Sequence, residues 1–141
     1  MVRTRSAGVI IKDSQILLMH RIKNGQEYFV FPGGKVEPKE STQTAVRREI
    51  FEEVSLTITT LDECLYQRSN EDGDEEIYYL VTDFTGEIEL SGEEKGRMND
   101  LNQYYPEWWK IAEAINLQNL VPREVVEPIF SRLEQLGYFK R

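Results

Sequence analysis

Residues 33–56, GGKVEPKESTQTAVRREIFEEVSL, join a pair of glycines to a segment with helical periodicity. Residues 41–54 contain neither Gly nor Pro, and Ser41 is a favourable N-cap residue, so the sequence predicts a helix over this range. An apolar stripe at helical spacing predicts that this helix packs on a sheet. The stripe consists of Val46, Ile50 and Val54, with Phe51 beside it.

Three carboxylates share a neighbouring face of the predicted helix, because Glu49, Glu52 and Glu53 are spaced i, i+3 and i+4. Like charges at this spacing repel by about 0.2–0.5 kcal/mol per pair, and the C-terminal half of a helix disfavours anions. The arrangement is poor for stability, but it supplies the hard oxygen ligands that Mg²⁺ or Mn²⁺ prefers. On helix composition alone, a solvated acidic face is the favoured interpretation.

The spacing around the carboxylates reverses that preference. The order is Gly34, five residues, Glu40, seven residues, Arg48-Glu49-Ile50, one residue, Glu52-Glu53, one residue, Ser55-Leu56. It closely resembles the Nudix box, and the preceding Phe31-Pro32-Gly33 resembles the lead-in to that motif. One fixed position differs, because Ser55 stands where the family usually has Gly. A left-handed residue after the helix would cost on the order of 1 kcal/mol with Ser in place of Gly.

The length of 141 residues favours a single domain spanning residues 1–141. Interspersed strand and helix patterns predict an α/β fold with a mixed β-sheet flanked by helices, and the resemblance implies the Nudix α/β/α sandwich. It also implies Mg²⁺-dependent hydrolysis of a diphosphate bond, with Mn²⁺ as the alternative cation. The substrate would be a nucleoside diphosphate linked to another group X, with a modified or oxidised nucleoside triphosphate as the first candidate.

The resemblance also implies the metal ligands. Glu49, Glu52 and Glu53 would bind the cation, and a backbone carbonyl near Gly34 would join them. Glu49 is interpreted as a ligand, a general base or both. Removal of a primary ligand should cost at least about a hundredfold in rate.

Five further residues complete the predicted site. Arg48 and Glu40 are assigned supporting roles in catalysis, with an ion pair between them as a hypothesis. Gly33 would let the backbone approach phosphate closely, although a plain tight turn explains the same residue. Arg21 is a candidate phosphate ligand, with a surface ion pair as the alternative. Glu94 is a weaker candidate for a general base outside the motif, in a loop that equally fits a solvated acidic segment.

Composition restricts the partners of the protein. The net charge of −8 argues against nonspecific binding to DNA or to anionic membranes. The sequence lacks an apolar run of about 18 residues, so we expect no membrane span. The single cysteine, Cys64, suits a reducing compartment and predicts a cytoplasmic location. The expected partner is a small-molecule nucleotide, and the resemblance makes a homodimer a candidate oligomeric state.

Two alternatives to hydrolysis of a damaged triphosphate stay open at this point. The same chemistry would serve a nucleotide sugar, a dinucleoside polyphosphate or a capped RNA end. A noncatalytic sensor would keep the fold only to bind a nucleotide, but it would have no need of Arg48 together with all three carboxylates. Turnover of a nucleotide panel with Mg²⁺ separates these possibilities.

Overall fold

The computed structural model describes residues 2–89 and 98–141, and within these ranges the chain forms nine strands and three helices. The strands are β1 (Thr4–Lys12), β2 (Gln15–Lys23), β3 (Gln26–Val30), β4 (Gly33–Lys35), β5 (Thr57–Thr60), β6 (Cys64–Ser69), β7 (Glu75–Val81), β8 (Asp83–Thr85) and β9 (Asn102–Lys110). The helices are α1 (Thr42–Val54), α2 (Ile111–Ala114) and α3 (Arg123–Gln135). No helix in the described ranges combines the length and apolarity that crossing a membrane requires.

Seven of the strands form one mixed sheet. The order along its main path is β3-β2-β1-β7-β6, with β9 paired to β2 and β4 paired to β1. Strands β1 and β7 run parallel, whereas the other pairs in this sheet are antiparallel. The predicted mixed sheet is therefore confirmed, and β5 and β8 form a separate two-stranded sheet.

The two central strands β1 and β2 diverge from their shared turn. They pair only through Ile11 with Ile16 and Lys12 with Gln15. Further along β1, the same edge is occupied by β4, and the amide of Gly8 donates a hydrogen bond to the carbonyl of Pro32. The divergence therefore gives the glycine pair a place inside the sheet, directly before the loop that leads to α1.

Helices cover both faces of the large sheet. The stripe of α1 is fully buried against one face, as the sequence predicts, and α3 buries its own apolar stripe against the other. These stripes consist of Val46, Ile50 and Val54 in α1, and of Val125, Val126, Ile129, Phe130 and Leu133 in α3. The predicted α/β/α sandwich is confirmed. Phe51 lies outside the stripe and is 58% exposed, since it follows Ile50 by about 100° around the helix.

The start of α1 has the cap that the sequence predicts, and its end has a left-handed residue. The Ser41 hydroxyl accepts a hydrogen bond from the amide of Thr44 at 3.0 Å. Ser55 has φ 65° and ψ 22°, the left-handed conformation that the family's usual glycine favours. The substitution at this position of the motif therefore leaves the turn in place and strains a single residue.

Replacement of Ser55 by Gly should stabilise the protein by about 0.5–1 kcal/mol, because relief of left-handed strain exceeds the entropy gained by the unfolded chain. Thermal unfolding should shift upward by roughly 1–4 °C. Ser131→Gly is the control and should lower the melting temperature, since Ser131 lies inside α3, where glycine destabilises a helix. An unchanged or lower melting temperature for Ser55→Gly would contradict the strain.

The only histidine, His20, lies on β2 between two carboxylates. Its Nδ1 is 3.0 Å from Oε2 of Glu107, its Nε2 is 3.3 Å from Oε2 of Glu27, and its ring stacks on Phe29. Burial lowers the pKa of His20, but the hydrogen bond to Glu107 and the charges of Glu107 and Glu27 outweigh burial and leave this pKa raised. The imidazolium form therefore stabilises the fold.

The stabilisation by His20 should decrease as pH rises. Because the folded-state pKa of His20 is raised, its contribution is complete below the unfolded-state pKa of about 6.5 and is lost as pH rises through the folded-state pKa. The free energy of unfolding of the wild type should exceed that of His20→Gln by more at pH 5.5 than at pH 8.5. Urea denaturation at both pH values measures this, and an equal difference at the two would contradict it.

Candidate active site

The glycine pair fixes the position of one helix carboxylate. The amide of Gly33 donates a hydrogen bond to Oε2 of Glu53 at 2.8 Å. Gly33 itself pairs with Ala7 across the β1–β4 ladder. A Cβ atom at Gly33 would lie 2.4 Å from the carbonyl oxygen of Ser6 and 2.5 Å from Cα of Ala7. Only a glycine permits this close approach between β4 and β1, which brings the Gly33 amide to Glu53.

The neighbouring glycine makes room for a second carboxylate. A Cβ atom at Gly34 would lie 2.4 Å from both Cδ and Oε2 of Glu49. The Glu49 side chain is mostly buried, and this burial raises the pKa of its carboxyl, while the nearby Arg48 guanidinium opposes the rise. The Glu49 carboxylate therefore lies directly against the backbone of Gly34, where a side chain would otherwise be.

Arg48 donates hydrogen bonds to several oxygen atoms around the Glu49 carboxylate. Its Nε and Nη2 donate to the two carboxylate oxygens of Glu40 at 2.8 and 2.9 Å, which is a bidentate ion pair. Its Nη1 donates to Oε1 of Glu49 at 2.8 Å, and Nη2 also donates to the carbonyl of Lys35. The hydrogen bonds from Arg48 lower the pKa of Glu40 to about 2. The ion pair expected from the sequence is present, and it links the loop before α1 to Glu49.

Glu52 shares a hydrogen-bond donor with Glu49. Nη1 of Arg48 lies 2.8 Å from Oε1 of Glu49 and 3.3 Å from Oε2 of Glu52, whose side chain is 47% exposed. Glu52 is therefore the more exposed of the two carboxylates that Arg48 Nη1 contacts.

A cavity of about 310 Å³ joins the predicted residues to others from distant parts of the sequence. It is lined by Gly33, Glu49, Glu53, Arg21, Met19, Asn102 and Tyr104. Arg21, predicted as a phosphate ligand, donates from Nη2 to Oδ1 of Asn102 at 3.3 Å. Nothing in the sequence around Asn102 or Met19 indicates that either residue lines a site. Their position follows from β2 and its pairing with β9, which no local motif records.

The donor set in this cavity fits a hard divalent cation. Mg²⁺ is commonly held by one or two carboxylates, with water and substrate phosphate completing its shell. Glu49 and Glu53 supply two such carboxylates beside the backbone of Gly33 and Gly34. Within residues 2–89 and 98–141, no group of three or more acidic, histidine or cysteine side chains is arranged to hold a metal ion. The described geometry thus offers Glu49 and Glu53 as two carboxylates for such a cation, and the assignment of Glu52 as a third ligand stays a prediction.

One predicted residue cannot be placed in this site. Glu94, the candidate base outside the motif, lies outside the described residues. Its assignment stays a prediction.

Comparisons with known proteins agree with the geometry. The family model described as the NUDIX domain matches residues 2–127. The chain is 36% identical over 90 residues to an 8-oxo-dGTP diphosphatase of Haemophilus influenzae, and the match covers 58% of this chain and 64% of that relative. The chain therefore spans somewhat less than two thirds of the curated relative.

Solved structures give the same fold over almost the whole chain. The solution structure of the E. coli ORF135 protein matches with a TM-score of 0.71 at 26% identity, covering 96% of this chain and 90% of that chain. A structure from work on MutT of Aliivibrio salmonicida and Vibrio cholerae matches with a TM-score of 0.73 at 26% identity, covering 94% and 99%. An ADP compounds hydrolase has a TM-score of 0.74 at only 18% identity, covering 99% and 77%, and indicates the fold alone.

Proposed function

This chain belongs to the Nudix domain family, and we propose that it hydrolyses the diphosphate bond of a small nucleotide with the help of Mg²⁺. The observation that carries the proposal is one cavity that brings Glu49, Glu53 and Gly33 together with Arg21. Carboxylates beside bare backbone suit a metal-bound diphosphate, and a guanidinium in the same lining suits phosphate or its attached group. A modified or oxidised nucleoside triphosphate is the first substrate to test, which the diphosphatase relative supports.

Glu49 and Glu53 would hold the cation, Glu52 would join them on leaving Arg48, and the Gly34 carbonyl would be a further ligand. When bound, Mg²⁺ neutralises charge on the diphosphate and lowers the pKa of a bound water. The protein's own contribution is to fix these oxygens in place, because the Gly33 amide holds Glu53 and the Arg48 guanidinium holds Glu49.

Proton transfer in the proposed reaction falls to Glu49. Its Oε1 accepts from Arg48, so Oε2 is the atom that would take the proton from the attacking water. The water oxygen forms a bond to phosphorus, the bridging P–O bond breaks, and the bridging oxygen leaves with the departing phosphate. Glu94 is the alternative base. Arg48 and Glu40 act as positioning residues, since their bidentate pair keeps Glu49 directed toward the cavity.

A nucleotide panel tests the proposal. Phosphate or pyrophosphate release is measured with Mg²⁺, with Mn²⁺ and after chelation, through a coupled phosphatase or pyrophosphatase. The panel contains normal and oxidised triphosphates, nucleotide sugars, ADP-ribose and dinucleoside polyphosphates. We expect metal-dependent release from at least one triphosphate. Nucleotide binding without turnover across the panel would overturn the proposal and favour a sensor.

A further inference from the structure

A second cavity shares one lining residue, Arg21, with the first. Its volume is about 290 Å³, and it lies where β3 ends, beside the turn that precedes α3. The residues that matter for its chemistry are Arg5, Arg21, Tyr28, Phe31 and Tyr78. Together the two cavities reach the size of roughly 300–1,000 Å³ that small-molecule sites have. One ligand could therefore span them, with its diphosphate in the first cavity and its remaining group in the second.

The second cavity has the opposite charge to the first. The first contains Glu49 and Glu53, whereas the described lining of the second contains two guanidinium groups and no carboxylate or amide side chain. The net charge of the chain is −8, so a lining with arginines and no acids departs from the composition of the protein. Tyrosine and phenylalanine rings supply the rest of the lining that a flat ring system would contact.

Arg21 carries an unused donor at the junction of the two cavities. Its Nε is buried and has no hydrogen-bond partner among the described residues. A buried donor without a partner is rare in a native protein and calls for an explanation, of which a ligand is one. Arg5 is less available, because its Nη2 donates to the carbonyl of Phe31 at 2.8 Å.

The sheet holds the Arg21 guanidinium in place. Arg21 pairs with Tyr28 across the β2–β3 ladder and with Tyr104 across the β2–β9 ladder, so the three side chains share one face. The guanidinium carbon lies 6.0 Å from the Tyr28 ring centroid and 5.3 Å from the Tyr104 ring centroid. Rings on both sides restrict the plane of the guanidinium, which makes Arg21 suitable for directional hydrogen bonding.

We infer that Arg21 and the second cavity select nucleotides whose base presents a carbonyl acceptor over those whose base presents an amino group at the same position. The favoured bases are guanine and its oxidised form, hypoxanthine, uracil and thymine, and the disfavoured ones are adenine and cytosine. The reason is donor matching, because a guanidinium pairs with carbonyl and ring-nitrogen acceptors, whereas an amino group facing it leaves two donors opposed. The inference rests on the proposed function, whose site it extends.

Two pairs of triphosphates exchange the group in question. ITP has a carbonyl where ATP has an amino group, and UTP and CTP differ in the same way at one pyrimidine position. In each pair the adjacent ring nitrogen carries a proton only in the carbonyl base. A well-placed arginine contact discriminates by about 5- to 150-fold. We expect kcat/KM to be at least about fivefold higher for ITP than for ATP and for UTP than for CTP. Equal or reversed ratios would overturn the inference.

Two matched variants assign the preference to Arg21. In Arg21→Lys the forked donor is lost while the charge stays, so the ITP:ATP ratio should fall toward one. Arg132→Lys makes the same change on α3, where Arg132 pairs with Glu63 at the surface, and should keep the wild-type ratio. If Arg21→Lys keeps the wild-type ITP:ATP ratio of kcat/KM, Arg21 does not recognise the base.

Binding of the monophosphates separates this inference from the proposed reaction. Calorimetric titration of IMP and AMP requires no hydrolysis, and IMP should bind the wild type at least about fivefold more tightly. If no triphosphate is hydrolysed but IMP keeps this advantage, the proposed function fails and the base preference stands. If triphosphates are hydrolysed while IMP and AMP bind equally, the base preference fails alone.

Discussion

Replacement of Glu53 by Gln should lower kcat at least about a hundredfold for whichever nucleotide the wild type hydrolyses, with little change in stability. The carboxylate of Glu53 lines the metal-compatible cavity and accepts a hydrogen bond from the Gly33 amide. Glutamine has the same shape, and its amide oxygen can still accept that hydrogen bond. The variant therefore keeps the contact between α1 and β4 but loses the negative charge that would bind Mg²⁺.

The measurement compares steady-state kinetics across a range of Mg²⁺ concentrations with thermal unfolding of the same samples. Glu71→Gln is the matched control, since Glu71 is exposed in the turn between β6 and β7. It should retain wild-type kinetics and a wild-type melting temperature. A Glu53→Gln variant with more than about a tenth of the wild-type kcat would exclude Glu53 as a primary ligand.

The parts of the site within one local segment could be predicted from the sequence. The bounds of α1, its buried stripe and its cap at Ser41 follow from spacing and residue type over fewer than 20 residues. The ion pair between Arg48 and Glu40 also lies within this segment. Local contacts of this kind depend mainly on helical geometry, which is the same in every helix.

The parts that depend on strand pairing could not be predicted. Arg21 meets Asn102 across 81 residues of sequence, because β2 and β9 are neighbours in the sheet. No periodicity within either strand specifies the other as its partner. The contact between Glu52 and Arg48 could not be predicted either, since helical spacing fixes where the Glu52 Cα lies but not which donor its carboxylate meets.

Replacement of Gly33 by Ala should lower stability, whereas replacement of Gly34 by Ala should lower activity. Gly33→Ala should destabilise the protein by at least about 3 kcal/mol, because its Cβ would lie 2.4 Å from the Ser6 carbonyl oxygen, and backbone in a paired strand cannot move aside cheaply. Gly34→Ala meets only the carboxylate end of Glu49, which can rotate away. It should melt close to the wild type.

Alanine keeps the backbone carbonyl proposed as a metal ligand, so the activity of the folded Gly34→Ala variant reports on the displacement of Glu49. Displacement of that carboxylate should reduce kcat/KM by about tenfold or more, since its position beside the backbone is what makes it a ligand or base. Gly73→Ala is the control for left-handed strain, because Gly73 has φ 82° and nothing within 4 Å of a Cβ, so only about 1 kcal/mol should be lost. A Gly33→Ala variant as stable as Gly73→Ala would contradict the β1–β4 pairing that places Glu53. Full activity in Gly34→Ala would show that the reaction does not need Glu49 where the fold holds it.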